Sequence, residues 1–188
     1  MVTAGMSEAG KPSLSIVVPV YGAEDTLLEL HRRLIAVLDE CADESEIILV
    51  DDYSPDGSWA AIQQLAEQDP RVRGIRLGRN FGQHSALLCG MRAARYPVTI
   101  TLDDDLQNPP EEIPLLLAEM VKGFDVVYGS PEQVEHGFVR ARASQLTRIA
   151  LRDIMGAETA RYVSSFRAVR TDVRDAFKDY SNPFVSID

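Results

Sequence analysis

Residues 97–112 read PVTITLDDDLQNPPEE, and they change character halfway. Val98, Thr99, Ile100, Thr101 and Leu102 alternate and are mostly β-branched, the composition of a buried strand. Three aspartates follow without a break, Asp103, Asp104 and Asp105. Pro109 and Pro110 with the acids Glu111 and Glu112 then open a helix. Three carboxylates therefore occupy the loop where a strand hands over to a helix, which in an open α/β sheet is where ligands bind. Adjacent negative charges repel, and a hard divalent cation accepting carboxylate oxygens relieves the repulsion. Along an extended segment Asp103 and Asp105 point the same way, with Asp104 turned elsewhere. Gln107 continues their phase and offers a third oxygen. A calcium loop of the EF-hand type is excluded, because its glycine and glutamate places hold Asn108 and Pro114. A solvated acidic loop remains the plain alternative at this point.

Working outward, the pattern repeats. Leu14–Val20 (LSIVVPV) is an apolar run suited to a strand buried on both faces, and Tyr21-Gly22 turns it. Thr26–Leu38 carries Leu27, Leu30, Leu34 and Leu38 on one helical stripe. Glu46–Val50 (EIILV) is a second buried strand ending in Asp51-Asp52, and Ser58 is placed to cap a helix through Gln68. Val72–Leu77 is a third strand, followed by Gly78–Gly82 as a loop and a largely apolar helix over Gln83–Ala94. After the Asp loop come a helix to about Lys122 and a strand over Asp125–Tyr128. Strands alternating with helices predict an α/β fold, a mostly parallel, doubly wound sheet with helices on both faces. Beyond Gly129 the regularity decays. There the sequence predicts a loop over Gln133–Phe138, a helix over Val139–Ile154, a strand over Phe166–Arg170 and a helix from Thr171 to Lys178.

With 188 residues the chain suits one domain over 13–188, preceded by a disordered tail over 1–12. Its close in SNPFVSID carries no stop signal, so a longer protein is expected. A net charge of −10 argues against a nucleic-acid binder. The window from Arg140 to Arg174 nevertheless holds eight arginines against three acids, a candidate anion or membrane-surface site. Cys41 and Cys89 make no disulfide framework, and a reduced, cytoplasmic compartment fits best. No apolar run approaches the roughly 20 residues of a membrane-spanning helix.

Three predicted strand ends carry polar groups: Tyr21–Asp25, Asp51-Asp52 and Asp103–Asp105. In a parallel sheet they share one edge. No G-x-G-x-x-G follows the first strand, which speaks against a dinucleotide enzyme, and there is no Walker lysine motif either. Asp51 and Asp52 suit hydrogen bonds from a base or ribose, or equally a turn cap. A cation at Asp103 and Asp105 would hold a diphosphate. The stretches SIVVPVYGAEDTL, EIILVDDYSPDGS, RNFGQHSAL, TLDDDLQNPPEEIP, DVVYG and SSFRAVR, together and in this order, resemble the family 2 glycosyltransferases of GT-A fold. Within that family they are most similar to polyprenyl-phosphate sugar transferases of the dolichol-phosphate mannose synthase and undecaprenyl-phosphate aminoarabinose types.

The resemblance implies inverting transfer of a sugar from a nucleotide-diphosphate donor, UDP- or GDP-linked, to a polyprenyl phosphate, or alternatively to a glycan hydroxyl. A third alternative is an idle sugar-nucleotide-binding domain. It implies that Pro19, Val20, Tyr21, Asp51 and Asp52 line the base and ribose pocket, with Glu24, Asp103 and Asp104 also on the donor. Asp103, Asp105 and Gln107 would face Mg²⁺ or Mn²⁺, and the domain is expected in the cytoplasm, at the cytoplasmic face of the membrane. The chain departs from the family at three places. Gly22-Ala23 stands where an asparagine–glutamate pair is usual, with Glu24 adjacent; Pro131 replaces an arginine that meets the acceptor phosphate; Arg161 replaces an aspartate proposed as base. Arg140, with Arg142 and Arg148, is the candidate for the lost phosphate contact. Phe81 is expected to pack rather than stack.

Overall fold

The computed structural model describes residues 10–130, 147–150 and 165–173. In chain order they form β1 (Leu14–Val20), α1 (Leu27–Cys41), β2 (Ser45–Asp51), α2 (Ser58–Gln68), β3 (Val72–Arg76), α3 (Gln83–Ala93) and β4 (Val98–Thr101). A 3₁₀ turn at Pro110–Glu112 leads into α4 (Ile113–Met120), followed by β5 (Val126–Ser130), β6 (Thr147–Ala150) and β7 (Arg167–Arg170). The seven strands make one sheet in the order β3-β2-β1-β4-β7-β5-β6. Strands β1 to β4 are mutually parallel, while β7 runs antiparallel to β4 and β5, and β6 antiparallel to β5.

Every residue of β1 is buried, as its almost wholly apolar run requires of a strand covered on both sides. Leu14, Ile16, Val18 and Val20, with Ile47 and Leu49 of β2, pack in one core with the buried leucines of α1, α2 and α4. Val17, Ile48 and Val50, the alternate residues, pack with Ala86 and Leu87 of α3. Right-handed crossovers explain this split. The chain steps outward from β1 to β3 with α1 and α2 on one face. It then returns past β1 to β4, so α3 must cross on the other. The reversal of direction between β1 and β4 creates a switch point, and the crevice above it opens at the carboxyl ends.

Helix α3 lies unusually close to the sheet. A Cβ on Gly90 would meet Val17 Cγ1 at 2.4 Å and Val50 Cγ2 at 3.1 Å. That contact fixes the height at which the helix begins, and so where Gln83 stands over the carboxyl edge.

Two expectations need correction. Of the helix expected over 139–154, the described residues 147–150 form strand β6, paired with β5; Thr147 and Ile149 are β-branched, and pairing along an open edge prevails over helical periodicity. Ser58 is the first residue of α2 rather than its cap, and its buried hydroxyl accepts the Ala23 N–H at 2.9 Å. The expected loop over 133–138 lies outside the described residues, as does the helix beyond residue 173. Of the expected tail, residues 10–12 are described, and the Pro12 carbonyl accepts the Asp43 N–H at 3.2 Å.

At the amino edge, Glu46 is fully buried. Its Oε1 accepts bonds from the Ser15 hydroxyl (2.8 Å) and the Arg95 N–H (2.7 Å), and its Oε2 from Arg73 (2.8 Å) and Arg95 Nε (2.9 Å). Burial would raise its pKa, but the bonds from Arg73, Ser15 and Arg95 outweigh it and hold the carboxyl below its usual range. A depressed folded-state pKa contributes stability above the unfolded value, lost as pH falls through the folded one. Glu46→Leu therefore costs about 2–3 kcal/mol at pH 7 in urea unfolding, since it strands a buried hydroxyl and a backbone N–H. The gap to the wild type narrows below about pH 4.

Candidate functional site

A cavity of about 360 Å³ opens at the carboxyl edge of the sheet, lined by Pro19, Val20, Tyr21, Asp52, Asn80, Gly82, Gln83, Asp103, Asp104 and Asp105. Each comes from a strand end or from the turn after it. Pro19 to Tyr21 end β1, Asp52 follows β2, Asn80 to Gln83 lead into α3, and the three aspartates follow β4. The structure thus brings seven of the sequence-predicted residues into one pocket. Tyr21 is half-exposed at its mouth.

The Asp loop departs from the extended geometry that the sequence reading assumed. Leu106 adopts φ 63°, a left-handed conformation rare for a bulky residue, and the chain bends there. The chain already bends at Asp104 and Asp105, and Asp104 lines the same pocket as its neighbours, its Oδ2 accepting the Tyr21 N–H at 3.1 Å. Gln107, expected to supply a third oxygen, is exposed and outside the lining; its backbone N–H donates to Asp105 Oδ1 at 3.0 Å. Asp103 is held from two sides. Gln83 Nε2 donates to its Oδ1 at 2.6 Å, and the Ser165 hydroxyl donates to its Oδ2.

Asp51 and Glu24 are set to other work. Asp51 is fully buried, accepts the Ser54 N–H at 3.0 Å and lies 3.1 Å from Arg76 Nε, so the turn-cap reading holds for it and it does not line the cavity. Glu24 accepts the Gly57 N–H at 2.9 Å while its own N–H donates to Asp56. A side chain at Gly57 would collide with that carboxylate at 2.4 Å. The Gly22 N–H donates to the Ser54 hydroxyl at 3.1 Å, so the turns after β1 and β2 are zipped together beside the pocket. Asp52 does line the pocket, but its two oxygens accept the N–H groups of Phe81 (2.7 Å) and Gly82 (2.8 Å). It positions the loop that carries Asn80. Phe81, expected to pack, is 47% exposed with the Arg79 guanidinium 4.7 Å from its ring centre. Arg140, Arg142, Arg148, Pro131 and Arg161 fall where the structure gives no side-chain description.

Burial pushes the Asp103 carboxyl above its ordinary range, and the charge of Asp105 adds to this against the bonds from Ser165 and Gln83 and the charge of Arg167. Burial likewise raises Asp104, with Asp103 and Asp105 reinforcing it against the Tyr21 N–H. The pocket therefore works against its own negative charge, a state that a cation would relieve. Among the described residues no three His, Cys, Asp or Glu side chains converge to hold a metal by themselves. The donor set suits instead a Mg²⁺-like ion bound by one or two carboxylates and completed by substrate phosphates.

Sequence reasoning missed Asn80, Gln83 and Ser165 as parts of the site. Gln83 stands in the quoted RNFGQ stretch and Ser165 in SSFRAVR, but only the fold brings both to Asp103.

Glycosyl transferase family 2 matches residues 15–177 of the chain. An undecaprenyl-phosphate 4-deoxy-4-formamido-L-arabinose transferase of Edwardsiella ictaluri (strain 93-146) is 40% identical over 161 residues, covering 85% of this chain and 50% of that protein. The protein of the same name from Pseudomonas fluorescens (strain Pf0-1) is 42% identical over 164 residues, covering 87% and 48%. The chain thus spans about half the length of the curated relatives it matches. Among solved structures, S. aureus TarS 1-349 superposes with a TM-score of 0.63 at 18% identity, over 91% of this chain and 50% of that one. The mannosyltransferase PcManGT from Pyrobaculum calidifontis, in complex with GDP-Man and Mn²⁺, does so with 0.57 at 20% identity, over 66% and 37%. At these identities the likeness shows the fold, that of the GT-A glycosyltransferases.

A raised folded-state pKa means the native protein holds its proton more tightly than the unfolded chain. That advantage is present below the ordinary value near 3.8 and is lost as pH rises through the folded value. Asp104→Asn is expected to raise the thermal midpoint at pH 7 by about 2 °C, the shift given by roughly half a kcal/mol after screening. The gain should vanish near pH 3.5, as differential scanning calorimetry would show.

Proposed function

The chain belongs to glycosyl transferase family 2, and from that membership we propose a metal-dependent, inverting transferase that moves a sugar from a nucleotide-diphosphate donor to a polyprenyl phosphate. The observation that carries this reading is the gathering of Asp103, Asp104 and Asp105 at the end of β4, in one pocket with Pro19, Val20, Tyr21 and Asp52. The names of the curated relatives support the acceptor class, and the GDP-Man and Mn²⁺ of PcManGT support the donor class and the cation.

In this reading Pro19, Val20 and Tyr21 flank the base and ribose, and UDP or GDP is the carrier. Asp103 and Asp105 hold Mg²⁺ or Mn²⁺ together with the diphosphate. The ion supplies charge neutralisation for the departing nucleoside diphosphate. An acceptor phosphate oxygen attacks the anomeric carbon from the side opposite the leaving group; the new C–O bond forms as the bond to the diphosphate breaks, which inverts the centre. A lipid phosphate is already ionised near neutral pH, so no side-chain base is required, in keeping with Arg161 at the position of the family's aspartate. Arg140 neutralises the acceptor phosphate. None of the described helices is long and apolar enough to cross a membrane. In this reading the domain works at the cytoplasmic face of the membrane that holds its acceptor.

Calorimetry with UDP and with GDP, each with and without MnCl₂, tests the reading. One nucleotide should bind at least tenfold more tightly with the metal, and Asp105→Ala should abolish that gain. Asp105→Ala should also lower sugar transfer to a polyprenyl phosphate by a factor of about 100 or more. Metal-dependent binding without transfer would mark an idle binding domain, and no binding of either nucleotide would overturn both readings.

A further inference from the structure

Carboxylates that must stay charged and correctly aimed inside a protein are usually held by partners of their own. Asp103 is half-buried beside two other acids, yet its closest hydrogen-bonding partners are neutral: the Gln83 amide on Oδ1 and the Ser165 hydroxyl on Oδ2. The two come from different elements. Gln83 is the first residue of α3, whose height is set by the contact of Gly90 on Val17. Ser165 immediately precedes Phe166 and β7, and its backbone is tied to β4, because its carbonyl accepts the Thr101 hydroxyl at 2.5 Å. Thr101 and Arg167 pair in register across β4 and β7, so the seryl hydroxyl has a rigid base. Both groups donate a hydrogen bond to the carboxylate and so favour its ionised form. Gln83 is exposed and Ser165 half-buried, so neither side chain is part of the apolar core.

Building on the functional reading above, we propose that Gln83 and Ser165 are positioning residues. They clamp the Asp103 carboxylate from α3 and from β7 so that it meets the cation–diphosphate of the bound donor in one orientation. Arg167, fully buried in the adjoining strand, contributes its charge behind this clamp. The arrangement also makes the donor site depend on β7, an element that lies about 60 residues further along the chain than the aspartates it serves.

The test is calorimetry of UDP and GDP, with and without MnCl₂, on the protein and on Ser165→Ala, Ser165→Thr, Gln83→Leu and the Ser165→Ala/Gln83→Leu double variant. Thermal melts establish that each is folded. Ser165→Ala and Gln83→Leu should each lower the Mn²⁺-dependent nucleotide affinity about tenfold, the double variant more, with metal-free affinity changed by less than about twofold. Ser165→Thr, which keeps the hydroxyl donor, should restore most of the loss. In an Asp103→Ala background Ser165→Ala should add nothing further, because the group it positions is gone. If the wild type binds in a Mn²⁺-dependent way and the double variant matches it, the clamp is overturned alone. A loss of equal size with and without Mn²⁺ would likewise overturn it, as the mark of a purely structural role. Absence of Mn²⁺-dependent binding in the wild type would overturn the clamp together with the functional reading.

Discussion

The cost of keeping carboxylates charged inside a protein governs both edges of this sheet, and each edge meets it differently. At the amino edge, Glu46 is fully buried and two arginines neutralise it, so its pKa falls despite burial. At the carboxyl edge, Asp103 and Asp104 are met by an amide, a hydroxyl and a backbone N–H, and their pKa values rise. The first arrangement is closed and belongs to the architecture. The second leaves negative charge only partly compensated, and a site in that state gains most from a cationic ligand.

The fold makes this imbalance sustainable. Strands β1 and β2 are buried along both faces, and the two cores they separate fix α1 and α3 at set heights. The turns after β1 and β2 bind each other through Ser54, Asp56, Ser58 and Glu24, which frees the ends of β1 and β4 to face the cavity. Acids that a family resemblance would hand to the ligand are thereby divided. Some hold loops in place, and others line the pocket.

The sequence made the sheet legible because parallel strands buried on both faces read as continuous apolar runs, and LSIVVPV and EIILV are such runs. It made the edge legible because three of those runs stop in acids. What it could not convey was where individual carboxylates turn. Alternation assigns Asp104 away from its neighbours, but the chain bends from Asp104 onward, past the extended segment on which alternation depends. Asp51 and Asp52 are adjacent and alike on paper, yet one caps a turn beneath the pocket while the other lines it. Gln83 and Ser165 are invisible as partners of Asp103, since nothing local relates residues 20 and 62 positions apart in a chain. The strand β6, expected as helix, shows edge pairing overriding local periodicity.

One feature of the topology bears on how the molecule is made. Strand β7 is inserted between β4 and β5, so β5 has no direct pairing with the strands that precede it. As the chain leaves the ribosome, β1 to β4 can assemble with their helices, but the flank of β4 stays open until residues 167–170 emerge. Only then does Ser165 arrive at Asp103, and only then is that acid enclosed. Vectorial synthesis therefore defers the electrostatic penalty of the pocket until β1 to β4 and most of the apolar core around them have emerged.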